Sequence, residues 1–187
     1  MRFIYILFSI PMLLLPLSCS ADNNAKTVNK LLNHFFSVKK NQNNSKIVFK
    51  TGDFNGDGLE DIVVLFKPSS MPIETSQISV KTPWIYSSNQ NSKKYYRSLV
   101  IFQKMGSSWS SDKTHAYVML ATIGALETPS FKLIVSKKTD KDHGEYVSML
   151  PVKTNNDLII LPTEAGIDTY LYWDKGEYKL FEPEEIP

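Results

Sequence analysis

The chain has 187 residues, with 21 Lys and Arg against 19 Asp and Glu, a formal net charge of +2 and a single cysteine. Charge this evenly balanced, with no basic stripe and no aromatics interleaved through one, argues against nucleic acid as a partner. One cysteine allows no disulfide within the chain, so stability must come from a buried core, with or without a metal.

The chain begins "MRFIYILFSIPMLLLPLSCSADNN", with one positive charge at Arg2 and then uncharged, mostly apolar residues from Phe3 to Leu17. That run is shorter than the roughly 18 residues that a membrane-spanning helix needs. A basic start, an apolar centre and a small-residue region read together as a secretory signal peptide over 1–21. Two processing routes stay open. Cleavage after Ala21 would use "CSA"; lipidation of Cys19 would use "PLSC", which resembles a bacterial lipobox with Pro16 and Leu17 at its less usual positions. Both predict export, to the periplasm or to a lipid anchor in the bacterial cell envelope. Residues 22–187 are then long enough for one β-rich domain with its own core.

A helix is predicted first. In "NNAKTVNKLLNHFFSVKK", Val28, Leu31, Leu32, Phe35 and Phe36 recur at i, i+3, i+4, i+7 and i+8, which lays one apolar stripe along a helix. Lys39 and Lys40 suit its negative end, and "NQNN" stops it. His34 sits beside the stripe as a boundary residue.

Beyond the helix the chain reads as short strands: "KIVFK", "DIVVLF", "SLVIFQK", "AYVMLATI", "FKLIVS", "EYVSML", "DLIIL", "TYLYW" and "EYKLFE". Each is rich in β-branched or aromatic residues, with turn chemistry between them. "QKMGSSWSSDK" and "KKTDKDHGEY" read as hairpin connections, and "YWDKGEYKLF" as a tight hairpin in which Gly176 supplies a positive φ. The expected fold is mainly β: an antiparallel sheet or sandwich with the N-terminal helix packed against one side. Between Lys67 and Arg97 the chain turns rich in Ser, Pro and Asn, which predicts a long irregular loop over 67–97. Trp84, Tyr86, Tyr95 and Tyr96 lie in it and are candidate contacts for a protein partner in the envelope; the competing reading is that these rings tuck the loop onto the body.

The stretch "TGDFNGDGLEDIVVLF" carries the densest signal. With Asp53 as position 1, oxygen-bearing side chains stand at 1, 3, 5 and 9 (Asp53, Asn55, Asp57, Asp61), Gly58 stands at 6, and the Leu59 carbonyl at 7. That is the ligand spacing of an EF-hand-like Ca²⁺ loop, a cage for a hard cation taking six to eight oxygens. An EF-hand also needs a Glu at position 12, where this chain has Val64 inside an apolar run. The stretch instead resembles the FG-GAP/VCBS repeat, the Ca²⁺ loop of integrin α-chain propellers and many bacterial surface proteins, in which the loop runs directly into a buried strand. The resemblance covers about fifteen residues. It implies Asp53, Asn55, Asp57, Leu59 and Asp61 as Ca²⁺ ligands. Such repeats usually come in series and build a propeller, whereas this chain holds a single copy, which points to a lone calcium clip in a smaller β-domain. "TDKDHGEY", with Asp140, Asp142 and Glu145, lacks the third inward ligand and the glycine offset.

Catalytic signatures are sparse. His34, His115 and His143 stand at no zinc spacing, and no G-x-S-x-G occurs. Glu164 and Asp168 flank an aromatic strand at a spacing of little specificity. The expectation is a non-enzymatic, Ca²⁺-binding envelope module, by analogy of size and address an inhibitor or immunity protein against a toxin or lytic enzyme. The alternative is a Ca²⁺-dependent hydrolase or glycan-binding module using the aromatic loop with Glu164 or Asp168.

Overall fold

Alternate residues of the strand "DIVVLF" face two different cores, and that alternation builds the architecture. The structure is a computed structural model describing residues 20–36, 47–68, 74–84, 97–121, 132–162 and 168–183. Cys19, Tyr86, Tyr95, Tyr96 and Glu164 lie outside the described residues, as does the side chain of Trp84.

The first sheet contains β1 (Val48–Gly52), β2 (Asp61–Phe66), β3 (Ile78–Trp84), β4 (Ser98–Lys104) and β5 (Thr114–Ala121), in the order β1-β2-β4-β5-β3. The second contains β6 (Ile134–Ser136), β7 (Leu158–Leu161), β8 (Thr169–Asp174) and β9 (Glu177–Phe181), in sequence order. All pairings are antiparallel except β3 with β5, which is parallel. The described chain is therefore mainly β, and its first sheet is mixed where an antiparallel one was expected.

Val63 and Leu65 of β2, Leu99 and Ile101 of β4 and Met119 of β5 meet Ile159, Leu161, Leu171 and Tyr178 of the second sheet in one buried cluster. The intervening residues Ile62, Val64, Val100, Phe102, Val118 and Leu120 form a second cluster on the other face of the first sheet, and the helix α1 spans Ser20–Phe36. Central strands buried on both faces read as continuous apolar runs, which is why β2 and β4 stand out so clearly in the sequence. The hairpin between β8 and β9 forms at the expected place, with Lys175 (φ 51°) and Gly176 (φ 89°) both left-handed, as a primed turn requires.

Two further expectations are corrected. "EYVSML" is helical up to Met149, in α2 (His143–Met149), with Leu150 as its C-cap, so "KKTDKDHGEY" leads into a helix and connects no hairpin. Tyr146, Val147 and Leu150 are spaced for one helical face, and they group with Leu158, Ile160, Tyr170 and Tyr172 on the second sheet. Period two does not separate these apolar residues; period 3.6 does. The buried His143 opens α2 with Nδ1 3.0 Å from Ser136 Oγ. Within the expected irregular loop, residues 78–84 form β3. Ser and Pro content hid it; Pro83 is tolerated because β3 is an edge strand whose outer side needs no ladder hydrogen bond.

Candidate metal centre

The acidic loop is the turn between β1 and β2. Gly52 pairs with Asp61, so the chain must reverse between them. Gly56 (φ 78°) and Gly58 (φ 82°) supply the left-handed backbone for that reversal. Phe54 anchors the loop, its ring buried in the cluster between the two sheets.

Each implied ligand has a definite place. Asp53 Oδ1 accepts the Gly56 N–H (2.9 Å), while Oδ2 accepts the Gly58 N–H (3.2 Å) and the Lys138 ammonium (3.0 Å). Asn55 and Asp57 bind each other: Asn55 Oδ1 accepts the Asp57 N–H (3.1 Å), and Asn55 Nδ2 donates to Asp57 Oδ2 (3.0 Å). Asp57 Oδ1 accepts the Leu59 N–H at 2.8 Å. Glu60 is exposed. Asp61 is fully buried; its Oδ2 accepts the Phe54 N–H (3.2 Å) and its Oδ1 the Lys104 N–H (3.0 Å).

Burial dominates the electrostatics of Asp61. It pushes the carboxyl up from 3.8 to about 7, against the lowering effect of the Lys104 and Phe54 N–H groups and with repulsion from Asp57 and Asp53 added. Asp61 shares the parity of Val63 and Leu65 along β2, so it points toward the space between the sheets. Tyr178 lies in that space, and burial, together with the nearby Asp61, raises its phenol well above the usual range.

Two residues that hold the loop carry no motif. Asp157, buried just before β7, accepts the Asp53 N–H through Oδ2 (2.8 Å) and the Lys138 N–H through Oδ1 (2.7 Å). Lys138 reaches back from the segment after β6 to Asp53. Beside the loop opens a pocket of about 340 Å³, lined by Asn55, Asp57, Leu59, Gln103, Met105, His115 and Tyr117. Nothing in the sequence singles out Gln103 or Tyr117, which share the pocket only because β4 and β5 pair side by side. His115 Nε2 lies 3.0 Å from Ser79 Oγ, and burial lowers the pKa of its ring. Asp168 is half-buried, and its charge adds to burial in raising Tyr170.

The donor set is all oxygen, which suits Ca²⁺, and the Lys138 ammonium on Asp53 stands in for a cation at position 1 of the loop. As they stand, no three His, Cys, Asp or Glu side chains among the described residues form a group that could hold a metal ion. The oxygens are turned to the loop's own N–H groups instead. A carboxylate oxygen that accepts one N–H keeps a lone pair for a further partner, and displacing Lys138 would return one to Asp53. No helix among the described residues is long and apolar enough to cross a membrane. No known protein family, curated protein or solved structure matches the chain.

Proposed function

We propose that the protein is an exported Ca²⁺-binding module of the bacterial cell envelope that works by holding a protein partner, as an inhibitor or immunity protein does, and not by catalysis. The observation that carries the reading is the loop over 53–61. There, oxygen donors at alternate positions are wound by two left-handed glycines immediately ahead of a buried strand. Asp53, Asn55, Asp57, the Leu59 carbonyl and Asp61 would hold the ion, whose part is to stiffen the entry into β2. The reading includes α1 as the cover of the first sheet's outer face, supported by ring contacts of Phe36 with Phe66 (4.6 Å) and of Phe35 with Phe102 (5.7 Å). It also includes removal or lipidation of the N-terminal segment. Labelled palmitate that attaches to the wild type and not to Cys19→Ala selects lipidation; a mature product beginning at Asp22 selects cleavage.

Calorimetry in EDTA and then in Ca²⁺ tests the metal. Binding at a hundredfold excess over Kd stabilises a fold by about 2.7 kcal/mol, which for a domain of this size raises Tm by roughly 5 to 10 °C. Mg²⁺ should do much less, because it demands a smaller octahedral site. Asp53→Ala or Asp57→Ala should erase the Ca²⁺-induced shift, and Glu60→Ala should keep it. An unchanged wild-type Tm on adding Ca²⁺ sinks the metal reading.

A further inference from the structure

The pocket beside the acidic loop has a composition that selects its ligand. Asp57 brings a carboxylate to it from the exposed tip of the loop. Gln103 is buried and donates its NH₂ to the Tyr178 hydroxyl at 2.9 Å, which leaves its carbonyl oxygen as an acceptor. Tyr117 offers a ring already fixed in place, edge-on to Trp173 (5.3 Å) and Tyr178 (5.0 Å) and 4.4 Å from the His115 ring. Leu59 and Met105 add apolar contact, and Met105 is 66 % exposed. Among the described residues, no Lys or Arg lines the pocket.

An anion, an acceptor, an aromatic ring and an apolar rim without a resident cation call for a flat cation with several donors. We propose that this pocket binds a guanidinium group, as an arginine side chain of a bound polypeptide. A guanidinium is planar, weakly hydrated, stacks on aromatic faces and offers a fork of donors to a carboxylate, whereas an ammonium is a strongly hydrated point charge. The volume lies at the small end of the range for ligand sites, suited to one side chain and not to a cofactor. The proposal goes beyond the metal reading and stands without it, because Asp57, Gln103 and Tyr117 keep their chemistry in either case. If both hold, Ca²⁺ draws on the Asp57 charge and weakens the guanidinium site.

The test is an NMR titration of the ¹⁵N-labelled protein in EDTA with N-acetyl-arginine-N-methylamide, beside the lysine and leucine analogues and free L-arginine. The arginine compound should give saturable shifts centred on Asn55, Leu59, Gln103, His115 and Tyr117, the lysine compound weaker ones and the leucine compound none. Asp57→Asn should weaken binding about tenfold, the worth of one hydrogen bond to a charged group. Tyr117→Leu should weaken binding, since the ring face is lost. Tighter binding of free L-arginine than of the capped residue would overturn the polypeptide source and keep the guanidinium. Absent or scattered shifts, an equal response to the leucine compound, or indifference to Asp57→Asn would overturn the proposal. Repeating the titration in Ca²⁺ separates the two readings: arginine binding without any Ca²⁺ effect leaves the pocket standing whatever becomes of the metal.

Discussion

The Lys138 ammonium lies 3.0 Å from Asp53 Oδ2 across 85 residues of chain, so the acidic loop already holds a cation supplied by the protein. The hydrogen bond to Asp53, and after it the Asp53 charge, raises the Lys138 pKa, and Asp157 accepts the Lys138 N–H on the same side.

Lys138 should therefore compete with Ca²⁺. Lys138→Met should bind Ca²⁺ more tightly in a calorimetric titration, because the ion no longer has to displace an ammonium. The difference should shrink at high ionic strength, since Lys138 is 42 % exposed and its pairing is screened. Identical Kd values for wild type and variant would show that Lys138 leaves the loop at no cost.

The two loop glycines should respond unequally to Ala. At Gly58 an added Cβ meets nothing within 4 Å, so Gly58→Ala should cost only the left-handed strain, about 1–2 kcal/mol. At Gly56 the same Cβ would lie 2.2 Å from Asn156 Oδ1, so Gly56→Ala must also displace that side chain and should cost more. Gly58→Asn should cost less than Gly58→Ala, because Asn tolerates this region. Urea unfolding of the three variants checks the order; a neutral Gly58→Ala would contradict the left-handed backbone.

Asp61 should make stability depend on pH in an unusual direction. Its folded-state pKa is raised from 3.8 to about 7, so the folded protein binds the extra proton between these values. The resulting stabilisation is fully present below pH 3.8 and is lost as pH rises through about 7. Its size is on the order of 4 kcal/mol, with a slope of about 1.4 kcal/mol per pH unit where it is steepest. Asp61→Asn should remove this pH dependence, so the stability of the wild type relative to the variant should fall from pH 4.5 to 7.5. A pH-independent difference would mean that burial does not move the Asp61 pKa into this range.

The corrected elements share one cause. "EYVSML" carries β-branched and aromatic residues that favour a strand in isolation, yet Tyr146, Val147 and Leu150 cover the second sheet from a helix. Residues 78–84 look irregular alone and become a strand because β5 offers a free parallel edge. In both, tertiary burial outweighs a local preference worth only fractions of a kcal/mol per residue.

By itself the sequence determined what depends on neighbours along the chain: the stripe of α1, the doubly buried β2 and β4, the turn at Lys175 and Gly176, and the ordered oxygens of residues 53–61. Period, turn chemistry and glycine placement are local properties, and they can be read locally. Only the tertiary structure decided what meets that loop. Asp157 reaches the Asp53 N–H across 104 residues, Lys138 reaches its carboxylate across 85, and Gln103 and Tyr117 line its pocket through strand pairing. A carboxylate's neighbours across such separations are set by which sheets pack together, and no spacing along the chain encodes them. The same packing places Asp61 out of water and so moves its proton affinity toward neutrality.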